Sequence, residues 1–206
     1  MTGQGKKIIG LILSGGLSRR MGHDKAEKKI FEKKMLDIVI KRAELQVDYL
    51  IINSKNKNLR KNYIIIPDCI PGHLGPLVGI LSGLKWLRNN SEINKWLNIF
   101  PVDSPFFPSN LVECFFNNLN DEKILMAECQ GRSHPVFSMW HLDVINKLEE
   151  FLLNGGRKID VFTKNFKTRL VNFPFFGYDP FFNVNNKKDL EEAKLIYNNL
   201  MEGIFE

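Results

Sequence analysis

The apolar run Ile8-Ile9-Gly10-Leu11-Ile12-Leu13 reads as a buried strand. It empties directly into Ser14-Gly15-Gly16-Leu17-Ser18-Arg19-Arg20-Met21-Gly22-His23-Asp24-Lys25. A strand ending in a glycine-rich, cation-bearing loop is how many α/β proteins hold a polyphosphate. Glycines let backbone N–H groups approach anionic oxygens closely, and fixed cations neutralise the charge. Gly22 is followed by His23 rather than Lys, so the segment is not a G-x-x-x-x-G-K-[ST] P-loop, and it holds no G-x-G-x-x-G fingerprint. A glycine pair alone describes a turn. Two arginines and a lysine within ten residues of that pair ask for more.

The rest of the chain alternates strand and helix. Lys34 to Gln46 is predicted helical, with Leu36, Val39, Ile40, Ala43 and Val47 along one face. Tyr49 to Asn53 and Tyr63 to Ile66 read as strands, and a helix starts near Pro76, a residue suited to the first helical position. Trp96 to Phe100, Ile124 to Glu128, Pro135 to Trp140 and Arg169 to Asn172 are the further strands expected. Asn110 to Asn118, Leu142 to Leu153 and Lys187 to Leu200 are the further helices. Phe173 to Phe182, with its prolines and Gly177, reads as a packed aromatic loop. The alternation predicts an α/β fold: one domain over residues 1–206, a doubly wound, mostly parallel sheet with helices on both faces.

Composition narrows the function classes. At 206 residues, with 44% hydrophobic and 25% charged residues, the chain suits one globular core. Its apolar runs fall short of the roughly 20 residues of a spanning helix, and the polar start resembles no secretory signal, so no membrane association and a cytoplasmic location are expected. Cys69, Cys114 and Cys129 are scattered, which suggests reduced thiols rather than a disulfide framework or zinc site. A net charge of +6 suits a polyanionic ligand, but the lysines form no basic patch interleaved with aromatics, so no nucleic-acid partner is expected.

Ligands of open α/β sheets collect outside the carboxyl ends of the strands. The Gly15 loop, Asn53, Asp68 and Asp103 all fall at such ends. Asp103, between Pro101 and Pro105, has two roles open to it: a Mg²⁺ ligand beside a triphosphate, or a turn residue capping a helix near Pro108. Asn53 is open to a ligand contact or to a bond with its own turn.

The Leu13–Lys25 segment resembles the signature loop of the molybdenum cofactor guanylyltransferases, with Ser14 where that family usually has alanine. Pro101-Val102-Asp103-Ser104-Pro105-Phe106 resembles the family's metal-holding segment. Gly75-Pro76-Leu77-Val78-Gly79 resembles its guanine version, where cytidylyl relatives carry a serine-rich stretch. The resemblance implies transfer of GMP from GTP to molybdenum-bearing molybdopterin. Leu13, Ser14, Gly15, Gly16, Gly22, Asn53, Gly75, Pro76, Leu77 and Gly79 would bind the nucleotide. Asp68 would accept hydrogen bonds from guanine, Asp103 would hold Mg²⁺, and Arg19 and Lys25 would lie along the β- and γ-phosphates. Three further segments resemble the acceptor half: Arg132-Ser133-His134-Pro135-Val136, Gly155-Gly156-Arg157-Lys158 and Asn183-Val184-Asn185. They imply acceptor roles for His134, Arg157, Lys158, Asn183 and Asn185, although Asn185 and His134 also suit a helix cap and a turn. Asn186 and Lys187 replace the family's Thr-Pro, which predicts a softer start to the last helix. Transient contacts with cofactor-biosynthesis proteins and molybdoenzyme chaperones follow from the same resemblance. A cytidylyl or sugar-phosphate relative, and a nucleotide carrier without turnover, remain the alternatives.

Overall fold

The computed structural model describes residues 8–14, 29–72, 75–91 and 95–203. In chain order the strands are β1 (Ile9–Leu13), β2 (Lys29–Ile30), β3 (Lys33–Lys34), β4 (Tyr49–Asn53), β5 (Ile64–Ile66), β6 (Trp96–Pro101), β7 (Ile124–Cys129), β8 (Arg132–His141) and β9 (Thr168–Phe173). The helices are α1 (Met35–Glu44), α2 (Pro76–Asn90), α3 (Leu111–Asn117), α4 (Ile145–Leu153), α5 (Ile159–Thr163) and α6 (Lys187–Met201).

β1 is buried over its whole length, as a strand covered on both faces must be. It pairs in parallel with β4 on one side and β6 on the other, at the centre of a seven-stranded sheet ordered β5-β4-β1-β6-β8-β7-β9. Alternate residues feed two cores. Ile12 and Phe100 pack with Leu36 and Val39 of α1 and Leu111 and Phe115 of α3. Leu11, Leu97 and Ile99 pack with Leu81 and Leu84 of α2 and Leu148 of α4 on the opposite face. Helix α2 lies unusually close to the sheet, because a Cβ on Gly83 would come within 2.7 Å of Leu11 Cδ2 and 2.8 Å of Leu97 Cδ2. The doubly wound, mostly parallel arrangement read from the sequence is therefore the one observed.

β8 is the exception to the parallel rule. It runs antiparallel to both β6 and β7. Its pairing with β6 covers only Trp96–His141, Leu97–Trp140 and Asn98–Met139, whereas β6 stays paired with β1 as far as Leu13–Pro101. Beyond Asn98 the two strands part, and the sheet opens at its C-terminal rim.

Several short elements escaped the sequence pattern. The β2–β3 hairpin is two residues per strand, too short to show a period, and α5 spans five residues. The helix expected over Leu142 to Leu153 is a 3-10 turn, Leu142–Val144, followed by α4; His141 Nδ1 caps the turn by accepting from Asp143 N at 3.2 Å. A third, smaller core joins the hairpin to α6, with Ile30, Met35, Phe106, Tyr178, Val184 and Ile196.

The sheet's far edge is tied by a charged pair. Glu122 is 3% exposed, and Arg169 on β9 donates to its Oε1 from Nε at 2.8 Å and Nη2 at 2.5 Å, while Asn120 N donates to Oε2 at 2.9 Å. The Arg169 hydrogen bonds hold the carboxyl down at about 2, from an ordinary 4.5. A carboxylate whose pKa is depressed by folding contributes stability above its unfolded value and loses it as pH falls through the folded one. The wild-type denaturation midpoint should therefore drop between pH 4.5 and about 2 more steeply than that of Glu122→Gln, measured by chemical denaturation across that range.

Candidate active site

The C-terminal ends of the parallel strands are carried beyond the ladder by further backbone bonds. Ser14 N donates to Asn53 O at 3.0 Å, Ser54 N to Ile66 O at 3.0 Å and Val102 N to Leu13 O at 3.1 Å. These bonds align the residues that follow β1, β4, β5 and β6 along one rim. Above it lies an open cleft of about 920 Å³, bounded on the far side by the diverging part of β8 and by residues 179–189.

At the β4–β5 end, Asn53 is 3% exposed and donates from Nδ2 to Ile66 O at 3.2 Å and to Asp68 Oδ1 at 3.0 Å. The amide thus fixes the Asp68 carboxylate instead of closing its own turn. Gly79 explains why Asn53 fits: a Cβ there would lie 2.6 Å from Asn53 Oδ1 and 2.6 Å from Leu13 Cδ2. Gly79 and the fully buried Leu77 therefore stand behind the cleft wall, while Gly75 and Pro76, at the start of α2, line it. Leu13 and Ser14 line it as well; among the described residues the Ser14 hydroxyl, buried in the wall, has no hydrogen-bond partner.

Asp103 stands in the middle, half-buried in the turn that ends β6. Helix α3 begins at Leu111, with Asn110 in the N-cap position, so the capping role is excluded. The loop after the turn is held from α1 and the residues just beyond it: Arg42 donates to Phe107 O from Nε at 3.0 Å and Nη2 at 2.6 Å, and Gln46 Nε2, past the end of α1, donates to Pro108 O at 3.0 Å. Val184 N donates to Asp103 O at 2.8 Å, which brings the Asn183-Val184-Asn185 segment to the same place. Val184 is fully buried, so its exposed neighbours Asn183 and Asn185 both reach the cleft. The start of α6 is firmer than the sequence suggested. Asn186 accepts from Asp189 N at 3.0 Å and Asp189 Oδ2 accepts from Asn186 N at 3.1 Å, a capping box that replaces the missing Thr-Pro; the cap is Asn186 and not Asn185.

The β8 end carries His134. The β7–β8 register shifts between Met126 and Ala127, which pair with Ser138 and His134, so Pro135, Val136 and Phe137 bulge out. A bulge beside a site re-aims a side chain, and here it sets the His134 ring 4.8 Å from Phe181 and its Nε2 3.5 Å from Asp179 Oδ2. Burial pushes the imidazole pKa down, opposed by the Asp179 carboxylate and reinforced by Arg132. Phe181 is buried against Phe137 and Phe173, so the aromatic segment is the packed loop expected.

Of the residues expected to bind ligands, the structure gathers Leu13, Ser14, Asn53, Asp68, Gly75, Pro76, Asp103, His134, Asn183 and Asn185 around one cleft. Gly15, Gly16, Arg19, Gly22 and Lys25 lie outside the described residues. Arg157 and Lys158 sit exposed in the α4–α5 turn and do not line the cleft; Arg157 Nη1 instead donates to Leu152 O at 2.7 Å at the end of α4. Sequence reasoning missed Asp179, Arg132 and Lys55, which all line the cleft. Asp179 was the most legible of them, a lone carboxylate within an otherwise aromatic loop.

A family model described as the MobA-like NTP transferase domain matches residues 10–166. A relative from Rhodopseudomonas palustris (strain BisB5), a molybdenum cofactor guanylyltransferase, is 36% identical over 193 residues, covering 90% of this chain and 92% of its own. Among solved structures, molybdopterin-guanine dinucleotide biosynthesis protein A from Archaeoglobus fulgidus superposes with a TM-score of 0.74 at 22% identity, covering 93% and 99% of the two chains. The 4-diphosphocytidyl-2C-methyl-D-erythritolsynthase from Anaerococcus prevotii gives 0.72 at 12% identity, covering 94% and 96%. The fold is thus shared beyond one nucleotide specificity.

The contact of Gly79 with Asn53 is testable. In Gly79→Ala the new methyl group must displace an amide held by two hydrogen bonds. Overpacking of about 1–3 kcal/mol outweighs a helix-propensity gain of about 1 kcal/mol, so chemical denaturation should show a less stable protein.

Proposed function

This chain belongs to the MobA-like NTP transferase family, and from that premise we propose that it transfers GMP from GTP to molybdenum-bearing molybdopterin, releasing pyrophosphate and forming the guanine dinucleotide cofactor. The observation that carries the reading is the convergence, on one cleft, of the Asn53–Asp68 pair, Asp103 and the Asn183–Asn185 segment. Guanine presents N1–H and N2–H₂ donors, and a carboxylate held in place by a neighbouring amide is the acceptor such an edge needs. Asp68 supplies that carboxylate.

The acceptor's terminal phosphate attacks the α-phosphorus of GTP in line. A phosphate monoester is already ionised near neutral pH, its second pKa being about 6, so the step needs no protein base or covalent nucleophile. Positioning and charge compensation supply the acceleration. Arg19 and Lys25 lie along the β- and γ-phosphates in this reading, and His134, Asn183 and Asn185 face the acceptor.

Mg²⁺ takes one or two carboxylates and completes its octahedron with phosphate oxygens and water. Among the described residues no three His, Cys, Asp or Glu side chains form a ready-made metal cage. A half-buried carboxylate mid-cleft, its backbone pinned through Val184 N, fits an ion that shares its coordination with substrate. Asp103 would hold it, and the ion would offset charge on the phosphate oxygens. Among the described residues no helix is long and apolar enough to cross a membrane. The reading carries with it a cytoplasmic location and transient contacts with cofactor-biosynthesis proteins and molybdoenzyme chaperones.

Pyrophosphate release in the presence of Mg²⁺ should require both GTP and molybdenum-loaded molybdopterin. CTP run in parallel separates the cytidylyl alternative, since release with CTP alone would replace this reading. Asp103→Ala should slow release by roughly a hundredfold or more while leaving the folded protein intact; an unchanged rate would remove Asp103 from the chemistry.

A further inference from the structure

The cleft has a carboxylate at each end. Asp68 follows β5, and Asp179 lies against His134 of β8, with β4, β1 and β6 between them in the sheet. Both are pinned through one oxygen: Asp68 Oδ1 accepts from Asn53 Nδ2 at 3.0 Å, and Asp179 Oδ1 accepts from Phe181 N at 2.8 Å. Asp103, in the turn after the intervening β6, marks the middle. A nucleotidyl transfer needs its reacting phosphates between its two heterocycles, so one carboxylate is available to each ring system.

We propose that Asp179 recognises the heterocycle of the acceptor, taking the paired N–H donors of a 2-amino-4-oxopyrimidine edge, with His134 as its positioning neighbour. The inference rests on the reading that the acceptor is a pterin. Guanine and pterin present that same edge, so two carboxylates at opposite ends suit a product with one such ring at each end.

Three observations support the assignment. The Asp179 side chain is 29% exposed and lines the cleft, so an oxygen remains open to a ligand. The His134 side chain is 10% exposed, and among the described residues its Nε2 has no hydrogen-bond partner; at 3.5 Å, Asp179 Oδ2 lies beyond normal N–H···O length. An orphaned polar atom costs about 1–3 kcal/mol when buried, and a small shift of the carboxylate on ligand binding would satisfy it. Phe181, tilted against His134, and Phe182 give the same corner flat apolar walls, which suit a planar heterocycle.

Asp179→Asn tests this without dismantling the loop. Its Oδ1 still accepts from Phe181 N, which leaves the amide NH₂ in the place of Oδ2, a donor facing donors. The probes are free pterin and lumazine, which carries a carbonyl where pterin has the 2-amino group, titrated by fluorescence against the full-length protein with GTP present. The wild type should prefer pterin by about tenfold or more, the discrimination expected of one hydrogen bond to a charged group. Asp179→Asn should abolish that preference and leave GTP affinity within about twofold, whereas Asp68→Asn should do the reverse. An unchanged pterin-to-lumazine ratio, or a loss of GTP rather than pterin binding in Asp179→Asn, overturns the assignment. If wild-type protein releases pyrophosphate with GTP and molybdopterin while that ratio is insensitive to residue 179, only this inference fails. If no nucleotide supports release, the functional reading itself fails.

Discussion

Everything at the site depends on where β6 and β8 stop pairing. Through Asn98–Met139 the two strands share a ladder, and beyond it β6 continues beside β1 while β8 leaves. Antiparallel pairing lets a strand return without a crossover helix, so β8 can lean away at the rim without losing its partner β7. The gap exposes Asp103 at the end of β6 and leaves the β7–β8 hairpin as the cleft's far wall. The bulge at Pro135 to Phe137 completes that wall by turning His134 toward residue 179.

The two sides of the cleft are held differently. On the β4–β5 side, close packing does the work: α2 presents glycines to the sheet, and the space left by Gly79 is filled by Asn53, whose amide then holds Asp68. On the β8 side, the chain arrives by a loop, and buried aromatic rings with backbone bonds keep it in place. Phe181 packs by tilted and edge-on contacts among Phe137, Phe173 and His134, and Val184 is anchored both in the α6 core and to the Asp103 backbone. One wall is built for fixed geometry by a helix. The other is a looped wall carrying exposed asparagines between buried anchors.

Charge placement follows the same division. Asp68, Asp103 and Asp179 are spread along the cleft, the first after β5, the second after β6 and the third beside His134 of β8. The proposed reaction matches this order: under it Asp68 and Asp179 would accept ring donors at the two ends, and Asp103 would hold the cation at the centre. The fold alone does not select the nucleotide, because it is shared with the 4-diphosphocytidyl-2C-methyl-D-erythritolsynthase of Anaerococcus prevotii.

The sequence by itself determined the long elements and the class of site. Continuous apolar strands such as Ile9–Leu13 and helices with a 3.6-residue stripe can bury their surface only as layers, and residues at strand ends must then meet at one rim. Asn53, Asp68 and Asp103 were legible for that reason. Short elements were not: the two-residue strands β2 and β3 and the five-residue α5 are too brief to show a period. Nor could the sequence separate a residue that lines the cleft from one that shapes it. Gly79 and Leu77 belong to the same motif as Gly75 and Pro76, yet the first pair lies behind the wall because the helix turns them toward β1 and β4. Asp179 is the one carboxylate of its aromatic loop, but the loop around it signals packing and not which side chains reach a cleft. Its place opposite Asp68 was decided by the parting of β8 from β6 and by the loop that packs beneath it, both contacts between residues distant in the chain.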